Sequence, residues 1–112
     1  MIIYGKLDSE TLSKIFYSVI GKIEYSKVIN TNNMEIVIIG GNKFFRSLGY
    51  DICFLLVSYY DGFKQEIDIN MVRKRGELRR ILELARGEKE VKEIIELIKK
   101  EAENRGFSYE QK

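Results

Sequence analysis

The stretch KQEIDINMVRKRGELRRILELA, residues 64–85, contains the change of pattern that decides the fold. Its first half alternates apolar and polar residues, with Ile67, Ile69 and Met71 on one side. Alternation with a period of two is typical of a β-strand that has one face in water. Its second half places apolar residues at helical spacing among Lys, Arg and Glu side chains. We therefore expect the chain to change from strands to helix near residue 72.

Before this change, apolar residues occur in short β-branched and aromatic blocks, which predict three more strands at 23–29, 34–39 and 50–60. The third block is apolar at every position from Cys53 to Val57, which predicts a central strand covered on both faces for part of its length. Asn-rich residues 30–33 and Asp61-Gly62 are turn signals. Consecutive strands joined by short turns predict an antiparallel meander.

Helices are predicted at both ends of this meander. Residues 12–20 carry apolar side chains on one helical face, with Asp8 and Ser9 as capping residues and Gly21 as a stop. In the C-terminal third, one apolar stripe covers 78–85 and a second covers 91–102. Gly87 divides them, either as a break between two helices, which we favour, or as a kink in one long helix.

The predicted fold is a two-layer α+β sandwich. It contains an N-terminal helix, a four-stranded antiparallel meander and one or two C-terminal helices packed on one sheet face. Residues 1–106 are expected to form a single domain, and residues 107–112 a flexible C-terminal tail. Residues 1–7 are a lead-in that could contribute an edge strand through Ile2, Ile3 and Tyr4.

Composition excludes several kinds of chemistry. The chain has no His, which removes metal sites and acid–base schemes built on imidazole. Its single cysteine, Cys53, can form neither an internal disulfide nor a thiolate zinc site within one chain. Cys53 lies in an apolar run, where burial makes a thiol unreactive. We therefore expect no metal and no cofactor, and we favour a protein that is not an enzyme.

Location is predicted from the same composition. No apolar run approaches the ~18 residues of a membrane span, so no membrane partner is expected. The N-terminus has no basic leader followed by an apolar stretch. These features favour a cytoplasmic protein. Abundant Lys and Glu are typical of thermophile proteins, and codon bias explains them equally well.

A basic segment at residues 73–86 is the clearest functional candidate. It carries Arg73, Lys74, Arg75, Arg79, Arg80 and Arg86. Several such groups could bind phosphates and release counterions from a nucleic acid. Glu77 and Glu83 lie among them, however, and amphipathic helices often carry such charges for solubility alone. The sequence pI of about 8.6 is also below the ~9 that is typical of a nucleic-acid-binding domain.

The segment GGNKFFR, residues 40–46, is a second candidate and is predicted to be a loop from Lys43 onward. Phe44 or Phe45 could stack on bases beside Lys43 and Arg46, which would suit single-stranded nucleic acid. The simpler interpretation, which we favour, is that both Phe side chains close the end of the core.

Tyrosines cluster around the strongest predicted strand. Tyr59 and Tyr60 could belong to a partner surface or a ligand pocket, and they equally suit a half-buried strand. Exposure of either ring on an uncovered sheet face would favour the partner surface.

Three functions therefore stay open. The first is a non-catalytic interaction module that forms a homodimer, because a second subunit could cover the sheet face that too few helices leave bare. The second is nucleic-acid binding through residues 73–86 and the 43–46 segment. The third is a small-molecule or lipid carrier with a cleft between the sheet and the last helix.

Overall fold

The computed structural model describes residues 1–46, 49–72 and 77–111, with the backbone alone at Tyr50, Val72 and residues 77–86. These residues form six strands and two helices around a single sheet. In chain order they are β1 (Ile2–Tyr4), α1 (Ser9–Ile20), β2 (Tyr25–Thr31), β3 (Met34–Phe45), β4 (Tyr50–Tyr60), β5 (Gln65–Val72), α2 (Glu77–Asn104) and β6 (Ser108–Glu110).

The sheet is antiparallel throughout, in the order β2-β3-β4-β5-β1-β6. The predicted α+β class and the meander from β2 to β5 are confirmed. The prediction of four strands is wrong, because each chain end adds a short strand: β1 pairs with β5, and β6 pairs with β1. Ile2 and Ile3 of β1 are buried and pair with Glu66 and Gln65 of β5.

The C-terminal segment also differs from the expected flexible tail. Ser108–Glu110 pairs with β1 as strand β6. The backbone amide of Phe107 donates to the carbonyl of Ala102 at 2.8 Å, which turns the chain back from α2 to the sheet. The Phe107 ring packs directly over Gly5, where a Cβ would lie 2.5 Å from the ring. Packing of an aromatic ring on a bare glycine thus holds this end of the chain in place.

Helix α1 follows its predicted signals. The Thr11 amide donates to Asp8 Oδ1 at 3.2 Å, and Gly21 adopts a left-handed conformation (φ +83°) that ends the helix. Hydrogen bonding from Thr11 lowers the pKa of the Asp8 carboxyl below its ordinary value. A short polar side chain at the start and a glycine at the end are what the free backbone groups of a helix require.

Two element ends predicted at glycines are wrong: the end of the strand expected at 34–39, just before Gly40, and the favoured helix break at Gly87. Strand β3 does not end at Gly40-Gly41 but continues to Phe45, so residues 43–45 are strand rather than loop. A side chain at Gly41 would collide with the Lys22 carbonyl and crowd the Phe16 ring. Gly41 therefore lets α1 approach the sheet closely, which is a second reason for a glycine inside a strand.

Gly87 has the same role in the last helix. The favoured break does not occur, because α2 is one helix from Glu77 to Asn104. Gly87 is buried, and the Met71 side chain of β5 occupies the space where its Cβ would be. The loss of helix propensity at one glycine, ~1 kcal/mol, is small beside the packing of a 28-residue helix on a sheet.

Both helices pack on the same sheet face, as predicted for the C-terminal part. The core joins Leu12, Phe16, Val19 and Ile20 of α1 and Ile94, Ile98 and Ala102 of α2 to alternate residues of the strands. On β4 these are Ile52, Phe54 and Leu56, none more than 1% exposed. We call this side of the sheet the covered face.

Candidate functional site

Strand β4 separates its apolar run into two different environments. Ile52, Phe54, Leu56 and Ser58 point into the covered face. The residues between them point the other way, and of these Leu55 and Val57 are half-buried and Tyr59 is 38% exposed. The predicted two-sided apolar strand is therefore present, but described helices cover only one of its sides.

We call the other side of strands β2–β5 the open face. Directly paired residues of an antiparallel sheet point to the same face, so the register lists its members. Three rows cross the four strands, namely Tyr25–Gly40–Leu55–Asn70, Lys27–Ile38–Val57–Asp68 and Ile29–Ile36–Tyr59–Glu66.

The middle of the open face is apolar. Its centre consists of Ile36, Ile38, Leu55, Val57 and Tyr59, and none of these belongs to the buried core or packs against it. Contiguous apolar surface of this kind on a folded domain marks interaction sites, because scattered apolar residues are normal and clustered ones are not.

Large exposed side chains extend this patch outward. Tyr25 is 51% exposed at the β2 side, and Phe44 is 61% exposed towards one end of β3. At the other end, the Tyr59 hydroxyl lies 3.0 Å from the sulfur of Met34. Tyrosine suits such a position because its body is apolar and its hydroxyl is polar.

Polar residues border the apolar centre, and the two borders differ in sign. Lys27 is exposed on β2, whereas Glu66, Asp68 and Asn70 line β5. Within the described part of the chain, neither Lys27 nor Asp68 takes part in an ion pair. One edge of the open face is thus basic and the other acidic.

The predicted tyrosines lie on different sides. Tyr59 is on the open face, which is the exposure that favours a partner surface. Tyr60 is half-buried, and the ammonium group of Lys6 lies 5.5 Å from its ring centroid. Tyr60 therefore has an internal contact that explains its presence.

The alternation of β3 also places the residues predicted in the 40–46 segment on opposite faces of the sheet. Lys43 points to the covered face, where its Nζ lies 2.5 Å from Glu90 Oε2 and 3.1 Å from the carbonyl of Val19. Phe45 is buried with Phe54, as the favoured interpretation expected, whereas Phe44 is not. Lys43 is engaged with Glu90, so Phe44 and the exposed Arg46 are the members of this set that a ligand could reach.

The basic segment lies largely outside the described residues. Arg73, Lys74 and Arg75 fall outside them, and so do the side chains of Arg79, Arg80 and Arg86. Nucleic-acid binding through these residues stays a prediction.

The described cavity between β5 and α2 is small for a carrier cleft. The cavity at this position, lined by Ile67, Ile69, Ile95 and Ile98, has a volume of about 160 Å³. Pockets for small molecules usually measure ~300–1,000 Å³. This site is therefore a gap in the packing at the edge of β5.

The rest of the described chain offers little for other chemistry. Cys53 is half-buried on the open face beside Asn42, which accepts its S–H hydrogen bond. No group of three His, Cys, Asp or Glu side chains within the described ranges is placed to hold a metal ion. Neither described helix combines the length and apolar content that a membrane crossing requires.

Several residues of the open face were not predicted from sequence, above all Lys27, Ile38 and Asp68. Each belongs to a different strand, and only the register places them in one row. Their signal was the alternation of each strand, which shows a shared face once the pairing is known. The arrangement can bind a complementary flat surface. No protein-family model, curated protein or solved structure matches the chain.

Proposed function

We propose that the chain is a non-catalytic interaction module that self-associates through the open face of its sheet. The observation that supports this proposal is the apolar centre, in which Ile36, Ile38, Leu55, Val57 and Tyr59 lie together away from both helices.

Association has a clear driving force on this surface. Each square ångström of apolar surface removed from water is worth roughly 25 cal/mol, less the entropy lost when two molecules join. Two sheets that pack face to face lie about 10 Å apart, and the side chains of their inner faces interdigitate. A second sheet of the same shape and character meets this requirement.

The test is the mass of the protein in solution. Wild-type protein is expected to have twice the 13.1 kDa mass of one chain, in sedimentation equilibrium at micromolar concentrations. Val57→Glu places a carboxylate in the apolar centre and is expected to leave a folded monomer, because a buried charge without a partner is strongly unfavourable. Tyr59→Arg, at a more exposed position of the same surface, is expected to act in the same direction.

Val28→Glu is the matched control. Val28 is 41% exposed on the opposite side of β2, so the same substitution should leave the dimer intact. Circular dichroism verifies that each variant is folded. A wild-type monomer at high concentration, or a Val57→Glu variant that is folded and still dimeric, would reject the proposal.

Nucleic-acid binding is the second candidate, and the exposed Phe44 beside Arg46 is the observation that favours it. A stacking ring next to a guanidinium group suits a single strand. Val57→Glu distinguishes the two functions. It changes the apolar centre and is remote from residues 73–86 in sequence, so it should abolish self-association and leave nucleic-acid binding in place.

A further inference from the structure

The charges on the borders of the open face are arranged in a way that selects one mode of pairing. Lys27 and Asp68 belong to the same row, with Ile38 and Val57 between them. Neighbouring strands lie ~4.8 Å apart, so the two charged residues are about 14 Å apart across the sheet. This row is basic at one end, apolar in the middle and acidic at the other. It is therefore complementary to the same row of a second copy that runs in the opposite direction.

Resting on the proposed function, we infer that the partner is a second copy of this chain, packed across a two-fold axis parallel to β3 and β4. In this arrangement Lys27 of each copy lies opposite Asp68 of the second copy. The contact uses the same surface twice, so it closes into a dimer and does not propagate.

Symmetry leaves few other choices. Two identical sheets packed face to face must be related by an axis that lies in the plane between them. If that axis is parallel to the strands, it exchanges the two borders and places β2 over β5. If it is perpendicular to the strands, it places β2 over β2 and β5 over β5.

Charge decides between these arrangements. The parallel axis brings both lysines to carboxylates. The perpendicular axis brings Lys27 near Lys27 of the second copy, and Asp68 near Asp68 or Glu66 of the second copy. Like charges that face each other are unfavourable in an interface. An axis at 45° would lay Lys27 over the apolar centre, near Gly40 and Leu55 or near Ile36 and Tyr59, away from the β5 carboxylates.

The neighbouring row from Tyr25 to Asn70 fits the same arrangement, whereas the row on the other side places Ile29 opposite Glu66. With β2 over β5, Tyr25 of one copy faces Asn70 of the second copy, whose amide can bond to the phenolic hydroxyl. Between them, Leu55 faces Gly40, so a large side chain meets the smallest one. The apolar centre of one copy covers that of the other.

Two charge reversals test this geometry when they are made separately and then mixed. Lys27→Glu alone places two pairs of like charges in its dimer, and so does Asp68→Lys alone. Each variant is expected to dimerise at least about tenfold more weakly than wild type. An equimolar mixture of the two is expected to form a heterodimer, because both of its pairs are again of opposite sign. Native mass spectrometry distinguishes the species by mass, and sedimentation gives their affinities.

Controls make the outcome specific. Lys14→Glu reverses a charge on the exposed side of α1 and should leave dimerisation unchanged. Both test positions are exposed, so folding should persist, and the milder Lys27→Gln and Asp68→Asn give smaller losses in the same direction. The double variant Lys27→Glu/Asp68→Lys should recover self-association within one chain.

Failure of this axis and failure of the proposed function give different results. If wild type dimerises, Val57→Glu is monomeric and the two charge variants show no preference for each other, this axis is wrong and the proposed function stands. A stronger dimer for Lys27→Glu alone would also overturn the axis. If wild type is monomeric, both proposals fail.

Discussion

Leu56 and Val57 are adjacent residues of β4 with similar side chains and opposite surroundings. Leu56 is fully buried beneath the helices, whereas Val57 lies on the open face among residues that are not part of the buried core. The same contrast continues along the strand with Phe54 and Leu55. The position of an apolar residue in the alternation therefore decides whether it joins the buried core or lies on the surface that we propose for association.

This difference means that folding and the proposed association can be separated by substitution. Changes on the covered face should lower the stability of each subunit. Changes on the open face should alter association and have little effect on the free energy of unfolding of the monomer. The following three experiments test this division.

The largest effect is expected from shortening a covered side chain. Leu56→Ala removes buried methyl groups and leaves a cavity, and should lower the free energy of unfolding by about 2–5 kcal/mol. Val57→Ala is its matched control and should change it by less than about 1 kcal/mol. Urea denaturation at a protein concentration where wild type is monomeric measures both, since a dimer gains apparent stability from mass action. Equal losses for the two variants would mean that the faces do not differ in this way.

A smaller effect is expected from the covered ion pair. Lys43→Met leaves the buried Glu90 carboxylate without its cation, which should lower stability by about 1–3 kcal/mol. Lys27→Met removes a lysine from the open face and should change monomer stability by no more than about 0.5 kcal/mol. The same denaturation experiment compares them. If Lys43→Met is as stable as wild type, the pair contributes nothing to the helix layer.

The smallest effect is expected at the start of α1, which belongs to the covering layer. Asp8→Ala removes the cap and should lower stability by about 1 kcal/mol at neutral pH. Because hydrogen bonding lowers the pKa of Asp8 in the fold, its contribution is fully present above the ordinary value of 3.8 and is lost as pH falls through the lowered one.

Thermal denaturation across this pH range measures the effect. The melting temperatures of wild type and Asp8→Ala should differ at neutral pH and converge in acid. Ser13→Ala, on the same helix, controls for the substitution itself. A difference that persists unchanged into strong acid would mean that the carboxylate form of Asp8 is not what stabilises the helix.

Much of the architecture could be predicted from local patterns. Helix α1, with Asp8 and Gly21 at its ends, and strand β4 depend on interactions within a few residues, so their signals are complete in the sequence. Glycine was the main source of error. Gly41 and Gly87 were interpreted as ends of elements, and they are points where Phe16 and Met71 approach the backbone closely. That distinction depends on residues far away in the chain.

The terminal strands were predicted only in part for a related reason, since an edge strand at residues 2–4 was left as a possibility and β6 was expected to be a flexible tail. β1 and β6 have three residues each, and such short segments carry too little pattern to predict a pairing. β1 pairs with β6, at the opposite end of the sequence, and with β5, in its middle. The candidate site was likewise predicted only in part: Tyr59 and Phe44 were singled out, whereas the row through Lys27 and Asp68 required the register.

The amino-acid sequence by itself determined the alternation of each strand, the caps of α1 and an apolar run on both sides of β4. Only the tertiary structure decided which side the helices cover. Two helices connected to opposite ends of a meander can bury one face of the sheet, and they do so where Gly41 and Gly87 allow close contact. The other face keeps its apolar centre because the described chain has no third layer to place on it.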